Sequence, residues 1–69
     1  MEIQSVYAFK KDGFTTKILY EWLVKNDLTP IKNAHYIGDS IRFRIKNPLP
    51  NKKYVTKILP NKIRLVLMS

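Results

Sequence analysis

The fold class is decided by the stretch Ile37-Gly38-Asp39-Ser40-Ile41-Arg42-Phe43-Arg44-Ile45-Lys46. From Ser40 onward, apolar and polar residues alternate strictly, which is typical of a β-strand with one buried face. Gly38-Asp39 is a short connection rich in turn residues, so residues 40–46 pair in a hairpin with a preceding strand over residues 31–37. If the loop has two residues, one face of the hairpin collects Ala34, Tyr36, Ile41 and Phe43, with Ile45 continuing it. The opposite face collects Asn33, His35, Arg42 and Arg44, with Lys46 continuing it. A register slip of one residue would destroy this separation.

Before this hairpin, the sequence predicts one strand and one helix. Residues 3–9 alternate, with Ile3, Ser5, Tyr7 and Phe9 on one face and Val6 and Ala8 on the other. The period then changes to a helical one, which predicts a helix over about residues 14–26 that Thr15 or Asp12 caps. Asn26-Asp27 and Pro30 end it.

After the hairpin, the segment 47–51 contains two prolines and is not expected to be a central strand. Residues 53–59 and 62–68 predict a second hairpin around Pro60-Asn61. The fold class is therefore α+β, with one helix packed on a four- to five-stranded antiparallel sheet in the order β-α-β-β-β-β. The 69 residues predict a single small basic domain, 1–69, that gains stability by association.

Charge is distributed unevenly along the chain. Residues 1–39 hold five basic and five acidic side chains, whereas residues 40–69 hold eight basic side chains and no acidic one. Because the basic residues alternate with large apolar ones, we expect a cationic sheet face and not a disordered basic tail. Such a face suits a polyanionic partner.

Catalysis and metal binding have few candidate residues. The chain has one histidine, no cysteine and five scattered carboxylates, and a hydrolytic site needs a nucleophile beside a base. His35 with Ser40 is the single conceivable pair, and the hairpin directs the two side chains to different places. We therefore expect no catalytic site, no metal site, no cofactor and no small-molecule substrate. The lack of cysteine and of a long apolar run predicts an intracellular or virion-interior location, neither secreted nor membrane-bound.

Basic and polar side chains on and near the cationic face are the candidate contacts to nucleic-acid phosphates. These are Asn33, His35, Arg42, Arg44, Lys46, Lys52, Lys53, Lys57 and Arg64. Binding of this kind is expected to be micromolar, salt-sensitive and weakly selective for sequence, with DNA and RNA equally open. Alternating Lys and Arg also keep an outer sheet face soluble, but such a face usually carries both signs of charge.

Most aromatic residues are predicted to lie in the core, namely Phe9, Phe14, Trp22, Tyr36 and Phe43. Tyr54 beside Lys52-Lys53 has two interpretations, stacking on a base or packing near a strand edge. The cationic face is then nearly bare of aromatic rings, which favours contact with the backbone over base recognition.

A second hypothesis is a protein-interaction or virion-structural module. In this hypothesis the apolar segment Ile63 to Met68 is an edge strand that pairs with another protein or another copy, and the basic residues neutralise an acidic partner. Inhibition of a host protein is a third hypothesis that no particular residue supports.

Three stretches, Glu21 to Lys32, Ile41 to Pro48 and Val55 to Ile58, resemble a small module found in proteins of bacteriophages and large DNA viruses. The module has a tryptophan-bearing helix reading W-L-K-K-N-G, then K-P-I-K, an R-F-R-I strand, a proline and a T-K-K-I strand. The resemblance covers about residues 14–67. This chain departs from it at Asp27, where glycine is usual, and at residues 63–68, which lack the usual glycines. The resemblance implies a viral or phage source and adds no catalytic residue.

Overall fold

The computed structural model describes residues 1–69 and consists of one five-stranded antiparallel sheet with one helix packed on it. In chain order the elements are β1 (Glu2–Phe9), a 3-10 turn (Lys10–Asp12), α1 (Thr16–Lys25), β2 (His35–Ile37), β3 (Ser40–Arg44), β4 (Tyr54–Ile58) and β5 (Arg64–Met68). The strand order across the sheet is β2-β3-β1-β5-β4. The predicted α+β class and element order are confirmed, and the sheet has the upper of the two predicted strand numbers.

The first strand is the centre of the sheet, with β3 on one side and β5 on the other. In the resulting register Tyr7 lies between Arg42 and Arg64, and Val6 lies between Phe43 and Leu65. Directly opposed residues share one face of a sheet, so these two rows point to opposite sides.

Helix α1 begins and ends at residues whose local chemistry explains both boundaries. Thr15 caps the start, because its hydroxyl accepts a hydrogen bond of 3.1 Å from the Ile18 N–H. At the other end Asp27 takes a left-handed φ of 57°. The Leu28 N–H then donates to the Leu23 carbonyl at 2.9 Å, and the Asp27 N–H donates to Val24 at 3.2 Å. This is the Schellman arrangement, in which glycine is the commonest residue at the left-handed position.

The hydrophobic core lies between α1 and one face of the sheet. Leu19 and Leu23 of the helix are fully buried against apolar side chains from the sheet and its last turn, namely Val6, Ala8, Ile41, Phe43 and Ile63. Phe14 and Trp22 pack at the margin of this cluster. We call this side of the sheet the covered face.

A bulge at Gln4 changes the side to which the start of β1 points. The register with β5 shifts between Ile3 and Ser5. Gln4 itself is buried, and its side-chain amide donates to the Lys46 carbonyl at 3.0 Å. As a result Ile3 packs on the core, whereas Glu2 points to the side opposite the helix, where it pairs with Lys46.

The Gly38-Asp39 hairpin has the predicted register. His35, Tyr36 and Ile37 lie opposite Arg42, Ile41 and Ser40 in the order predicted for a two-residue loop. The predicted strand 31–37 is shorter than expected, because only His35–Ile37 is a strand. The Ile31 N–H donates to the Arg44 carbonyl at 2.9 Å, so the chain leaves the regular ladder before the predicted Ala34 and Asn33 pairs can form.

Three sequence predictions are corrected by the sheet. Tyr36 is not in the core, because it lies on the edge strand β2 and is 52% exposed. The segment Ile63 to Met68 is not an edge strand, since β5 is hydrogen-bonded to β1 on one side and to β4 on the other. Phe9 is not in the core, since it alternates with the buried Ala8 and lies on the side of the sheet away from α1. The exposed edges are therefore β2 and β4.

Candidate functional site

The sheet has a second face that no helix covers, and we call it the open face. Its central row is formed by side chains from all five strands, in the order His35, Arg42, Tyr7, Arg64 and Ile58. The next row on one side holds Ile37, Ser40 and Phe9, and the row on the other side holds Arg44, Ser5, Val66 and Thr56. The sheet thus brings Arg42, Arg44 and Arg64 from different parts of the sequence onto one surface.

Two of these arginines lie over aromatic rings. The guanidinium carbon of Arg42 lies 4.6 Å from the centre of the Tyr7 ring. That of Arg64 lies 4.6 Å from the centre of the Phe9 ring. The two rings meet edge to face at 5.9 Å, and the Lys11 ammonium lies 5.4 Å from Phe9. Cations, rings and β1 backbone therefore form one continuous array.

None of the three arginines on the open face is paired with a carboxylate. The chain has two ion pairs, Lys46 with Glu2 at 3.0 Å and Lys62 with Asp12 at 3.7 Å. A ring holds a guanidinium through its flat face and leaves the N–H donors at its edge unused. Arg42 and Arg64 are consequently held in place while their hydrogen-bonding capacity and charge remain available.

Buried polar atoms without a hydrogen-bond partner are concentrated on the same face. There are three in the structure: the Ser5 hydroxyl oxygen and the Nε atoms of Arg42 and Arg64. Ser5 is 1% exposed and lies between Arg44 and Val66. Since buried polar groups are nearly always hydrogen-bonded in folded proteins, a cluster of exceptions points to a surface that takes a ligand.

Charge is partly neutralised at the far end of the open face. The hydrogen bond and charge of Lys46 lower the pKa of Glu2, and Lys52 adds to the effect through its charge. Lys46 and Lys52 are therefore weaker candidates for anion contact than the arginines. The Tyr54 hydroxyl accepts from the Leu49 N–H and donates to the Leu49 carbonyl, both at 2.8 Å, which ties this ring to the loop before β4.

Three predicted contact residues do not share the open face with the arginines. Lys57 lies opposite Leu65, whose row belongs to the covered face, and Lys53 follows the same alternation. Asn33 borders a groove of about 1220 Å³ between α1 and the segment 30–36. His35, Arg42, Arg44 and Arg64 do lie together, with Lys46 and Lys52 at the margin.

Sequence reasoning missed Tyr7, Phe9 and Lys11. The alternation of β1 separates Tyr7 and Phe9 from Val6 and Ala8, but it does not say which set meets the helix. The available signal was Ala8, because a small side chain in a central strand allows a helix to approach closely. The predicted cationic face was nearly bare of aromatic rings, whereas on the open face two arginines lie over the rings of Tyr7 and Phe9.

Other kinds of site find little support in the described chain. No group of three or more His, Cys, Asp or Glu side chains is placed to hold a metal ion. No helix has the length and apolarity that crossing a membrane would require.

Neither a protein-family model, nor a curated protein, nor a solved structure matches this chain. The resemblance to the phage and viral module therefore stays a prediction, and function is argued from the residues of the open face.

Proposed function

We propose that this protein is a non-enzymatic nucleic-acid-binding module and that the open face contacts the phosphate backbone. The observation that carries the proposal is the set of three arginines, Arg42, Arg44 and Arg64, on one surface without a carboxylate partner. The resemblance described above supports a viral or phage setting for this activity, and the proposal needs no catalytic group.

The chemistry of the open face suits phosphate. Guanidinium groups match phosphate oxygens with two parallel hydrogen bonds, and the two stacked arginines lose little conformational freedom on binding because the rings already hold them. The net charge of +8 adds long-range attraction to any polyanion. Three phosphate contacts on a single strand predict that affinity falls roughly twentyfold between 50 and 200 mM salt.

The test is a binding titration with labelled DNA and RNA at these two salt concentrations. The variant replaces Arg42, Arg44 and Arg64 together by Gln, and we expect a loss of affinity of at least about tenfold at 50 mM salt with a shallower salt dependence. The matched control replaces Lys17, Lys25 and Lys57 by Gln. Because both variants reduce the net charge of +8 by three, they separate the open face from the overall charge.

Equal losses in the two variants would mean that the overall charge binds nucleic acid and that the open face has no special role. If the wild-type protein does not bind the labelled DNA or RNA at 50 mM salt, nucleic acid is excluded as the partner. Circular dichroism of each variant checks that the sheet is intact.

A second candidate function, association through a sheet edge, is favoured by strand β4. Lys53 and Ser69 exchange both backbone hydrogen bonds, at 3.3 and 3.0 Å. By the alternation of an antiparallel ladder, the N–H and C=O groups of Tyr54, Thr56 and Ile58 then point outward from the sheet. Val55 and Ile58 are 48% and 59% exposed beside this edge. The occupant that this edge fits is a second copy, paired antiparallel about Thr56.

Native mass spectrometry over a range of concentrations tests this second function, with Thr56→Pro as the variant. Proline at an outward-facing position keeps the β4–β5 ladder and removes the donor that a second copy would use. We expect a dimer in the wild type and a monomer in the variant. Dimer formation should strengthen with salt, because screening weakens the repulsion between two copies of charge +8, whereas nucleic-acid binding should weaken. A wild type that stays monomeric at high concentration and high salt contradicts self-association.

A further inference from the structure

We infer that the open face is specific for single-stranded nucleic acid, and that unpaired bases stack on the outer planes of Arg42 and Arg64 above Tyr7 and Phe9. The inference rests on the proposed function and names its ligand more narrowly. The proposed function uses the charge of Arg42 and Arg64, whereas the inference uses their flat guanidinium groups and their buried Nε atoms.

The first step concerns the two sides of each guanidinium plane. The guanidinium carbons of Arg42 and Arg64 lie over the rings of Tyr7 and Phe9, each 4.6 Å from the ring centre, so a ring covers one side of each cation and the opposite side remains for another flat group. Bases stack on Arg planes as well as on aromatic rings, because both are flat and polarizable. The array therefore offers two supported stacking positions, with a ring beneath each cation.

The spacing of these arginines and rings suits a short stretch of single strand. Arg42 and Arg64 lie on the two strands that flank β1, so their backbones are about 10 Å apart at the usual distance between strands. Tyr7 and Phe9 are two residues apart along β1, which corresponds to about 7 Å. An area of this size accommodates about two or three nucleotides, as on other sheet surfaces that bind single strands.

Buried polar atoms on the open face offer a second kind of contact to an unpaired base. The Nε atoms of Arg42 and Arg64 and the hydroxyl of Ser5 are buried on this face without a hydrogen-bond partner. Backbone phosphates stay at the exposed edges of a bound strand and do not reach such positions. The polar edge of an unpaired base can approach a sheet surface and form hydrogen bonds there, as in single-strand recognition.

A duplex uses this surface poorly. Its bases are paired and stacked on one another, so it presents phosphates to the three arginines and nothing to the planes above the rings. The open face is also a sheet surface, and no helix projects from it to enter a groove. Duplex binding should therefore be limited to the electrostatic part.

The test compares three labelled oligonucleotides of equal phosphate number at 50 mM salt: a mixed-sequence single strand, an abasic single strand and a duplex. We expect the single strand with bases to bind at least about tenfold more tightly than the abasic strand, because stacking contributes about that factor per base. The duplex should bind no more tightly than the abasic strand.

The matched variants keep the charge and remove the plane. Replacing Arg42 and Arg64 by Lys should lower affinity for the single strand much more than affinity for the abasic strand, so that the difference between the two strands disappears. The control is Arg44→Lys, which changes the same residue type on the same face where no ring lies beneath it. This control should lower affinity for the single strand and for the abasic strand by the same factor and so keep the difference between them.

The outcomes separate the two proposals. Equal affinity for all three oligonucleotides, with the Lys variants unchanged, overturns the stacking inference and leaves phosphate binding intact. A duplex that binds more tightly than the single strand also overturns the inference. Absence of binding to all three overturns the proposed function itself. A single strand favoured over both others, with an affinity that depends on Arg42 and Arg64 as planar groups, supports the inference.

Discussion

The two faces of this sheet are built from alternate residues of the same strands and have opposite chemistry. On the covered face, Val6, Ala8 and Ile41 meet Leu19 and Leu23, and every large side chain at the centre is buried. On the open face, the intervening residues place arginines on aromatic rings and leave buried polar atoms without partners. The covered face therefore accounts for stability, whereas the open face keeps polar groups in positions that lower stability and suit a ligand.

The largest expected effect comes from the covered face. Leu19→Ala should lower the free energy of unfolding by about 2–5 kcal/mol, because Leu19 is fully buried and the helix cannot collapse onto the cavity. A domain of this size has about 4–10 kcal/mol in total, so much of its stability is lost. Urea denaturation measures the change, and Val24→Ala on the same helix is the control, since Val24 is 57% exposed. Equal losses in the two variants would contradict the assigned core.

Ser5→Ala should have the opposite effect on stability, although it also removes a buried side-chain atom. Ser5 is buried with its hydroxyl unpaired, so the alanine variant should raise the free energy of unfolding by about 1 kcal/mol. The same change should weaken single-strand binding if the hydroxyl meets a base. Thermal denaturation and a binding titration of one preparation measure both quantities. A destabilised variant would show that the hydroxyl has a partner within the protein.

Asp27→Gly should stabilise the protein through the end of helix α1 and leave the open face unchanged. Asp27 has a φ of 57° at the end of α1, where glycine is not strained. We expect the free energy of unfolding to rise by about 0.5–1 kcal/mol, measured as a higher midpoint of thermal denaturation. Asp27→Asn is the control, because it makes the same change in charge and keeps the side chain. An equal rise in both variants would assign the effect to charge and not to the backbone.

The smallest expected effect is the pH dependence at the margin of the open face. Lys46 holds the pKa of Glu2 below its ordinary value through a hydrogen bond and through its charge. A carboxylate with a lowered pKa in the folded state stabilises the fold above the unfolded pKa, and this contribution is lost as the pH falls through the folded pKa. Stability should therefore fall slightly less between pH 5 and pH 3 in Glu2→Gln than in the wild type. NMR titration of the Glu2 side chain checks the direction of the shift, and an unshifted pKa would contradict the pair.

Much of the local structure follows from local sequence. The register of the Gly38-Asp39 hairpin is correct because the alternation in two neighbouring strands agrees on one arrangement. The ends of α1 follow from Thr15 and from the residues around Asp27, within two residues of the prediction. The module that this chain resembles usually has glycine where this chain has Asp27. Asp27 has a left-handed φ, which glycine adopts most easily, and this gives the usual glycine a physical reason.

The predictions that the structure corrects depend on how distant segments of the chain pair and pack. The strand β5 is internal and not an edge, because β1 and β4 both pair with it, and no local pattern states how many neighbours a strand has. The apolarity of Phe9 predicts a core position, but the position of α1 decides which face of β1 is buried. The charge of Lys57 predicts that it joins the arginines, but its register with Leu65 places it on the other face.

The sequence by itself determines the elements, the turn at Gly38-Asp39 and the concentration of positive charge after Asp39, because these depend on residues close together in the chain. The tertiary structure alone decides that Tyr7 and Phe9 lie beneath Arg42 and Arg64. That contact requires β3 and β5 to pair on the two sides of β1 and α1 to cover the alternate face. Both conditions depend on how the whole chain buries its apolar surface. Alternation within one strand separates two sets of side chains but does not determine which set is buried.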